Sequence, residues 1–269
     1  MTAGRRTAAG AVLLVLVFLL AFVGPLVSPY GWDETDFAAF RQGPSGGHWL
    51  GTTQSGRDVF AFTLRGAQHS LLVGLSAALL STGLSAAVGT AAGFLGGRVD
   101  RLLMWGVDLL LVLPSFLIVI VLAPRIAGGW PVLAAVLAAF MWMVTARAVR
   151  AATLSLRDRD HVLAARFLGV GTPRLVMRHV APGLASLLAV DASLNVSVAI
   201  VAESGLSYLG FGARPPDVSL GTVIADGQGG TTARPGAFGF AAGLLMLIVV
   251  AVNLLGDGLR DALDPEAGR

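Results

Sequence analysis

Uncharged stretches of about 20 residues are the feature that most limits how this chain can fold. A hydrocarbon core roughly 30 Å thick is crossed by about 20 helical residues. Such stretches recur along the sequence, in which 55% of the residues are hydrophobic and 13% are charged. Lipid offers no partner to backbone polar groups, so each stretch must be a helix or a strand of a closed barrel, and continuous hydrophobicity favours helices. The sequence therefore predicts an all-α membrane protein.

Six stretches are long and apolar enough to span a membrane as helices. Arg5 and Arg6 precede the first stretch, as basic residues precede the apolar region of a cleaved signal peptide. The stretch is, however, longer than that region usually is. It is also followed by Gly24 and Pro25 rather than by a clear A-x-A cleavage site, so we expect it to remain as a span. The six predicted spans cover residues 8–27, a segment within 66–97, 102–122, 126–146, about 183–202, and 235–256.

The placement of arginine predicts how these spans are oriented. All 19 basic residues are arginine, and basic side chains collect in the cytoplasmic loops of membrane proteins. If the N-terminus is cytoplasmic, 13 of the 19 arginines face the cytoplasm. We therefore expect a multi-pass protein of the cell membrane with both termini in the cytoplasm, and no binding of nucleic acid. The six arginines on the outer side would be Arg41, Arg57, Arg65, Arg125, Arg214 and Arg234.

Two short helices are predicted in the basic loop between the fourth and fifth spans. The first presents a small, weakly apolar face at helical spacing, and Gly169 ends it, since glycine tolerates a left-handed backbone. Thr172 and Pro173 indicate the N-cap and first turn of the second helix, which would run through His179 until Pro182 ends it. The face of the first helix would consist of His161, Ala164, Ala165 and Leu168.

Binding to another protein is the more specific interpretation of this loop. A solvated cytoplasmic loop would account for the arginines alone. Small side chains such as Ala164 and Ala165, however, allow another protein surface to approach closely, and ordered short helices are best justified when they are docked. The loop is therefore predicted to bind another protein.

Catalytic chemistry is not predicted for this chain. The segment GTTQSGRD from Gly51 spaces two glycines like a phosphate-binding loop, but Arg57 and Asp58 stand at the lysine and serine or threonine positions. The sequence has no lysine and no cysteine, and no nucleophile and base stand at a recognisable spacing, so we predict no catalytic residue, no metal site and no nucleotide hydrolysis. The four histidines fall in separate segments: His48, His69, His161 and His179.

Polar residues inside the predicted spans are the remaining candidates for function. Ionisable groups are expensive in lipid, so they should face the interior of the bundle or water. We expect Asp108 and Asp257 to bond neighbouring helices, since each lies near a cytoplasmic loop or helix end. Asp191 and Asn195 are four residues apart on one helix face and could together line a translocation pathway. The other polar candidates are Glu203 and Asn253.

Five stretches, in order along the chain, resemble one family of permeases. The loop sequence LAARFLGVGTPRLVMRHVAP resembles the loop of ABC-importer permeases, whose pattern is E-A-A, three residues, Gly, and then a hydrophobic-Leu-Pro ending. Ala164, Ala165, Gly169 and Pro182 match this pattern, whereas Leu163 stands at the glutamate position and Ala181 replaces the usual leucine. The other stretches are similar to the DppC/OppC-like subunit of the dipeptide, oligopeptide and nickel branch: HWLGTTQSGRDVF, GGRVDRLLMWGVDLLLVLPSF, ESGLSYLGFGARPPDVSLGTVIADG and NLLGDGLRDALDP.

This resemblance implies a type I ABC-importer permease fold with six transmembrane helices. It implies a subunit that forms half of a translocation channel and is not itself an enzyme. The implied partners are a second, homologous permease in a heterodimer, two ATP-binding subunits that hold ATP and magnesium, and an external substrate-binding protein. The loop would seat in the ATP-binding subunits through the residues His161, Leu163, Ala164, Ala165, Gly169, Thr172, Pro173 and Pro182.

The resulting organisation has three parts. Residues 1–67 would hold the first span and an outer segment, residues 68–258 the permease domain with the coupling loop 147–182, and residues 259–269 a cytoplasmic tail. Di- and oligopeptides are the family's commonest cargo, with nickel and small chelates as alternatives. A proton-coupled secondary carrier using Asp108, Asp191 or Glu203 is the rival, although inverted repeats and broken midplane helices are not evident.

Overall fold

The computed structural model describes residues 3–122, 128–228 and 235–263, and within them every regular element is a helix. Five helical runs are long and apolar enough to cross a membrane, and a bent pair of helices brings the number to six. The predicted all-α membrane fold is therefore confirmed. In chain order the helices are α1 (Ala3–Val27), α2 (Val59–Leu95), α3 (Gly97–Val112), α4 (Ser115–Leu122), α5 (Gly129–Arg157), α6 (Asp160–Phe167), α7 (Thr172–Leu175), α8 (Ala181–Tyr208), α9 (Leu220–Gln228) and α10 (Pro235–Leu263).

Helix α2 is the centre of the bundle and packs most closely against α5. Two glycines allow this approach. A β-carbon at Gly89 would lie 2.5 Å from the carbonyl oxygen of Ala146, and one at Gly93 would lie 2.7 Å from that of Arg150. Small residues bring the backbones of membrane helices together in this way, because lipid itself provides no hydrophobic drive for their association. The α2–α5 seam therefore depends on positions that have no side chain.

The third predicted span is not one helix, which corrects the expectation for residues 102–122. It consists of α3 and α4, which are bent by 76° about Leu113 and Pro114. Proline has no N–H to donate and drives the preceding residue out of the helical region. Leu113 accordingly has an extended backbone, with φ −73° and ψ 134°.

The second helix of the basic loop does not end at Pro182, so that prediction was wrong. Helix α7 passes through a π turn (Val176–Val180) directly into α8, and Pro182 lies in the first turn of α8. In the π turn the Ala181 N–H bonds to the Val176 carbonyl, five residues back. The wider turn immediately precedes the proline, where the missing N–H would interrupt a regular ladder. A single helical run therefore joins the loop to the membrane span.

The segment between α1 and α2 is ordered without regular structure. Asp58 caps α2, because its Oδ1 accepts a hydrogen bond from the Ala61 N–H at 2.9 Å. Its Oδ2 lies 2.9 Å from Nδ1 of His48, which is buried and stacks on Tyr30. The glycine-rich stretch from Gly51 thus serves a helix cap and a tight turn, and Asp58 has a structural partner on each oxygen.

Parts of the predicted organisation lie outside the described residues. These are the start of the fourth span at Ile126 and residues 264–269 of the tail.

Candidate functional site

The first loop helix, α6, ends as the sequence predicts. Gly169 has φ +80°, and its N–H bonds to the Arg166 carbonyl at 3.0 Å. The Val170 N–H bonds to the Ala165 carbonyl at 3.2 Å, which completes a Schellman motif. Val170 also packs against the buried apolar cluster that contains Ala165. The loop therefore has a fixed turn between α6 and α7.

The start of α7 differs from the prediction. Gly171, with φ −63° and ψ 148°, occupies the N-cap position, and no side chain caps the helix. Thr172 is the first helical residue, so its predicted role as N-cap was wrong. Pro173 lies in the first turn, as expected, because this position needs no N–H.

The face that α6 turns toward the bundle also differs from the predicted set. Val162 and Ala165 are buried, whereas His161, Ala164 and Leu168 are exposed. A tertiary cluster from α2, α5, α7, the π turn and α8 selects the inward face, and the weak periodicity of the helix itself does not. The cluster that receives Val162 and Ala165 contains Phe94, Val149, Leu156, Leu175, Val180 and Leu184.

Three large apolar side chains of the loop point into solvent. Phe167 is 89% exposed, Leu168 84% and Met177 73%. They are among the most exposed large hydrophobic residues of the described chain, and they lie on an ordered element. Sequence reasoning missed Phe167 and Met177; the available signal was a large apolar residue beside arginines in a polar loop. Leu163, at the glutamate position of the E-A-A pattern, is half-buried.

Two ion pairs fasten α3 to α5 near the loop. Asp100 accepts hydrogen bonds from Arg150 Nε at 2.5 Å and from Nη2 at 2.6 Å, a two-point contact. Asp108 accepts from Arg147 Nε at 3.1 Å and from Nη2 at 2.5 Å. The expectation that Asp108 bonds a neighbouring helix is therefore confirmed. These pairs hold the bent α3 beside the helix that leads into the loop.

Asp191 joins three membrane helices in one polar network. Its Oδ1 accepts from the Thr145 hydroxyl of α5 at 2.5 Å, and its Oδ2 accepts from the Thr82 hydroxyl of α2 at 2.9 Å. Asn195 donates to the same Oδ2 at 2.9 Å, so the two residues predicted to share a face are in contact. Asp191 and Asn195 are only half-buried, and the network thus has an accessible side.

Two further polar positions also bond within the bundle. Ser197 of α8 donates to Asn253 of α10 at 3.0 Å. Glu203 is fully buried and accepts from serines of α2 and α8. His69 lies beside it, with Nδ1 4.0 Å from a Glu203 oxygen. Within the described part of the chain, no three acidic or histidine residues are grouped so as to hold a metal ion.

Comparisons with known proteins agree over nearly the whole chain. Residues 83–269 match the family described as the binding-protein-dependent transport system inner membrane component, and residues 5–44 match the N-terminal transmembrane domain of oligopeptide transport permease C. The oligopeptide transport system permease protein OppC of Mycobacterium tuberculosis (strain H37Rv) is 51% identical over 263 residues, which is 97% of this chain and 90% of the relative. The OppC protein of Bacillus subtilis (strain 168) is 37% identical over 257 residues, or 96% of this chain and 84% of the relative. The chain therefore belongs to the family of binding-protein-dependent transport system inner membrane components.

Proposed function

We propose that this chain forms half of the translocation channel of an ATP-driven importer of di- and oligopeptides. The observation that carries the proposal is the ordered loop 159–182, which displays exposed apolar side chains at the end of a continuous membrane helix. Relatives that share 51% and 37% of its residues are named oligopeptide transport permeases, which supports peptides as cargo. A second homologous permease would form the other half of the channel.

The energy for transport would come from other subunits. Two ATP-binding subunits, with ATP and magnesium, would bind the loop on the cytoplasmic side, and an external binding protein would deliver the peptide. The excess of arginine at the loop end supports this orientation, with both termini in the cytoplasm. Residues 1–67, 68–258 and 259–269 would then be the anchor with its outer segment, the permease domain and the tail.

The docking role of the loop is argued from its exposure and order. A monomer gains nothing by holding Phe167 and Leu168 in water on a helix fixed by a Schellman turn. Aromatic side chains supply most of the binding energy where they enter a partner's pocket. Ala164 is exposed on the same helix and would allow close approach. His161 and His179, with ring centroids 6.3 Å apart, connect the two parts of the loop.

Reconstitution with its partners tests the proposed function. The tagged chain should co-purify with a P-loop ATPase, and the complex in proteoliposomes should hydrolyse ATP faster when a peptide and its binding protein are added. Nickel or a small chelate, supplied with its own binding protein, serves as the comparison cargo. Stimulation by nickel alone would contradict the peptide assignment, and transport by the chain alone, driven by a proton gradient, would contradict the importer.

Gly169→Val is expected to uncouple ATP hydrolysis from transport. The reason is backbone conformation and not bulk, since a β-carbon at Gly169 would meet nothing within 4 Å, whereas φ +80° strains a non-glycine residue by about 1–2 kcal/mol. The peptide taken up per ATP hydrolysed should fall, while membrane insertion is retained. Gly169→Asn is the matched control, because asparagine tolerates this conformation and should stay close to wild type. If Gly169→Val and wild type took up the same amount of peptide per ATP hydrolysed, the proposal that the loop couples ATP hydrolysis to transport would be contradicted.

We also propose that Asp191 and Asn195 line the pathway through their accessible side. The double variant Asp191→Leu, Asn195→Ala removes the charge and its amide partner, and peptide uptake should fall by about tenfold or more, which corresponds to about 1.4 kcal/mol. Uptake is measured per assembled complex, because loss of the hydrogen bonds from Thr82 and Thr145 could lower the amount of complex without changing transport itself. Ser193→Ala on the same helix, whose hydroxyl donates to the Ala189 carbonyl, is the control. Unchanged uptake by the assembled double variant would sink the pathway role.

A further inference from the structure

Glu203 is a fully buried carboxylate near the end of α8 that lies opposite the coupling loop. Its Oε2 accepts a hydrogen bond from the Ser70 hydroxyl of α2 at 2.7 Å, and its Oε1 accepts one from the Ser207 hydroxyl of α8 at 2.7 Å. A buried carboxylate is tolerated only when donors such as these meet it. The hydrogen bond from Ser70 is therefore kept only while α2 and α8 hold their present positions.

The same two serines also hold the chain that follows α8. The Ser70 oxygen accepts the N–H of Leu220, the first residue of α9, at 3.2 Å. The Ser207 oxygen accepts the N–H of Ala213, in the connection between α8 and α9, at 2.9 Å. One carboxylate thus orients two hydroxyls whose other bonds fix the start of α9 and the segment leading to it.

Helix α9 is seated tightly in this place. Leu220 and Val223 are buried, and a β-carbon at Gly66 of α2 would lie 2.9 Å from the backbone of Ser219. Gly221 is in similarly close contact with the backbone of Ser204 in α8. Helix α9 therefore cannot shift relative to α2 and α8 without breaking these contacts.

One continuous helical run connects the coupling loop to this cluster. The run Thr172–Tyr208 comprises 37 residues, which corresponds to a length of about 55 Å. One end of this run follows the turn at Gly169 that joins it to α6, and Glu203 and Ser207 lie near the other end. A rigid-body movement of this run would therefore displace the Glu203 cluster together with the loop end.

We infer that Glu203 is a positioning residue that transmits the movement of α8 to α9. In each transport cycle α9 then changes its exposure at the outer end of the bundle when nucleotide binds the partner subunits. The inference rests on the proposed function, since it takes the loop as the point at which the cycle acts. It does not depend on which cargo is carried.

Site-directed labelling tests this inference directly. The sequence contains no cysteine, so Asp226→Cys places a single labelling site on the exposed side of α9. In the assembled transporter in proteoliposomes, we expect the rate at which a membrane-impermeant maleimide labels this chain to differ at least about fivefold between the nucleotide-free and the ATP-vanadate-trapped states. Adding Glu203→Leu should make the two rates equal, and adding Ser70→Ala should reduce their ratio.

The controls separate a transmission role from general damage. Ser193→Ala should keep the wild-type ratio. Ser193 is on the same helix, but its hydroxyl donates to the Ala189 carbonyl of that helix. If Glu203→Leu prevents assembly, Ser70→Ala decides the matter, because it removes the link and leaves the carboxylate. A wild-type ratio in the Glu203 or Ser70 variant, or equal rates with Asp226→Cys alone, would overturn the inference. Failure of peptides to stimulate ATP hydrolysis would refute only the proposed cargo, since the labelling ratio is set by nucleotide.

Discussion

Gly89→Leu is expected to abolish correct assembly of the helix bundle. The β-carbon alone would lie 2.5 Å from the Ala146 carbonyl oxygen and 2.7 Å from the Val149 β-carbon, so the obstacle includes backbone that no rotamer change can move. Overpacking of a close-packed site typically destabilises by about 1–3 kcal/mol, and separation of α2 from α5 should exceed that range. We expect little chain to be extracted as a monodisperse species, and a lower midpoint of thermal unfolding for what remains.

Gly83 provides the matched control on the same helix. It is exposed, and a β-carbon there would meet nothing within 4 Å. Gly83→Leu places the same side chain on the surface of α2 and should leave yield and unfolding close to wild type. If Gly89→Leu gave the wild-type yield and midpoint, the close α2–α5 approach would not be required for the fold.

The spans could be predicted from the sequence because length and hydropathy are local properties. The bend at Pro114 follows from a local rule too, but its angle of 76° is set by packing. That the helix continues through Pro182 could not be predicted in the same way. Proline usually marks a helix boundary, but here a π turn, a feature without a sequence signature, precedes Pro182 and the helix continues.

The coupling loop shows the same division between local and tertiary causes. Gly169 and Pro173 act through their own backbone restrictions, and their positions were predicted correctly. The inward face of α6 is chosen by residues such as Phe94 and Leu184, which are distant in sequence, so Val162 was missed. The helix is too short and too weakly amphipathic for its own periodicity to decide.

Long-range polar contacts were the least accessible to sequence reasoning. The spacing of Asp191 and Asn195 predicted that they share a face, and they are in contact. Their partners Thr82 and Thr145 are 109 and 46 residues from Asp191 along the chain, and threonine in an apolar stretch carries no pairing signal. The hydrogen bond between Glu203 and Ser70 joins residues that are 133 positions apart, and nothing in the sequence indicates this pairing either.

The double variant Phe167→Ser, Leu168→Ser is expected to separate the chain from its ATP-binding subunits. Both side chains are more than 80% exposed, so their replacement removes little apolar area buried within the chain, and its own stability should change by less than about 0.5 kcal/mol. At an interface, however, loss of a buried aromatic anchor typically weakens binding by 2 kcal/mol or more. We expect the affinity for the ATP-binding subunits to fall by about 100-fold, measured by co-purification and by titration in detergent.

Leu102→Ser distinguishes docking from a general loss of exposed apolar surface. Leu102 is 69% exposed on α3, outside the coupling loop, and its replacement should leave the affinity for the ATP-binding subunits unchanged. Wild-type affinity in the Phe167, Leu168 double variant would show that the loop docks through other residues. The half-buried Leu163, at the glutamate position of the E-A-A pattern, would then be the next position to vary, because Leu163→Glu supplies a charged contact in place of the apolar one.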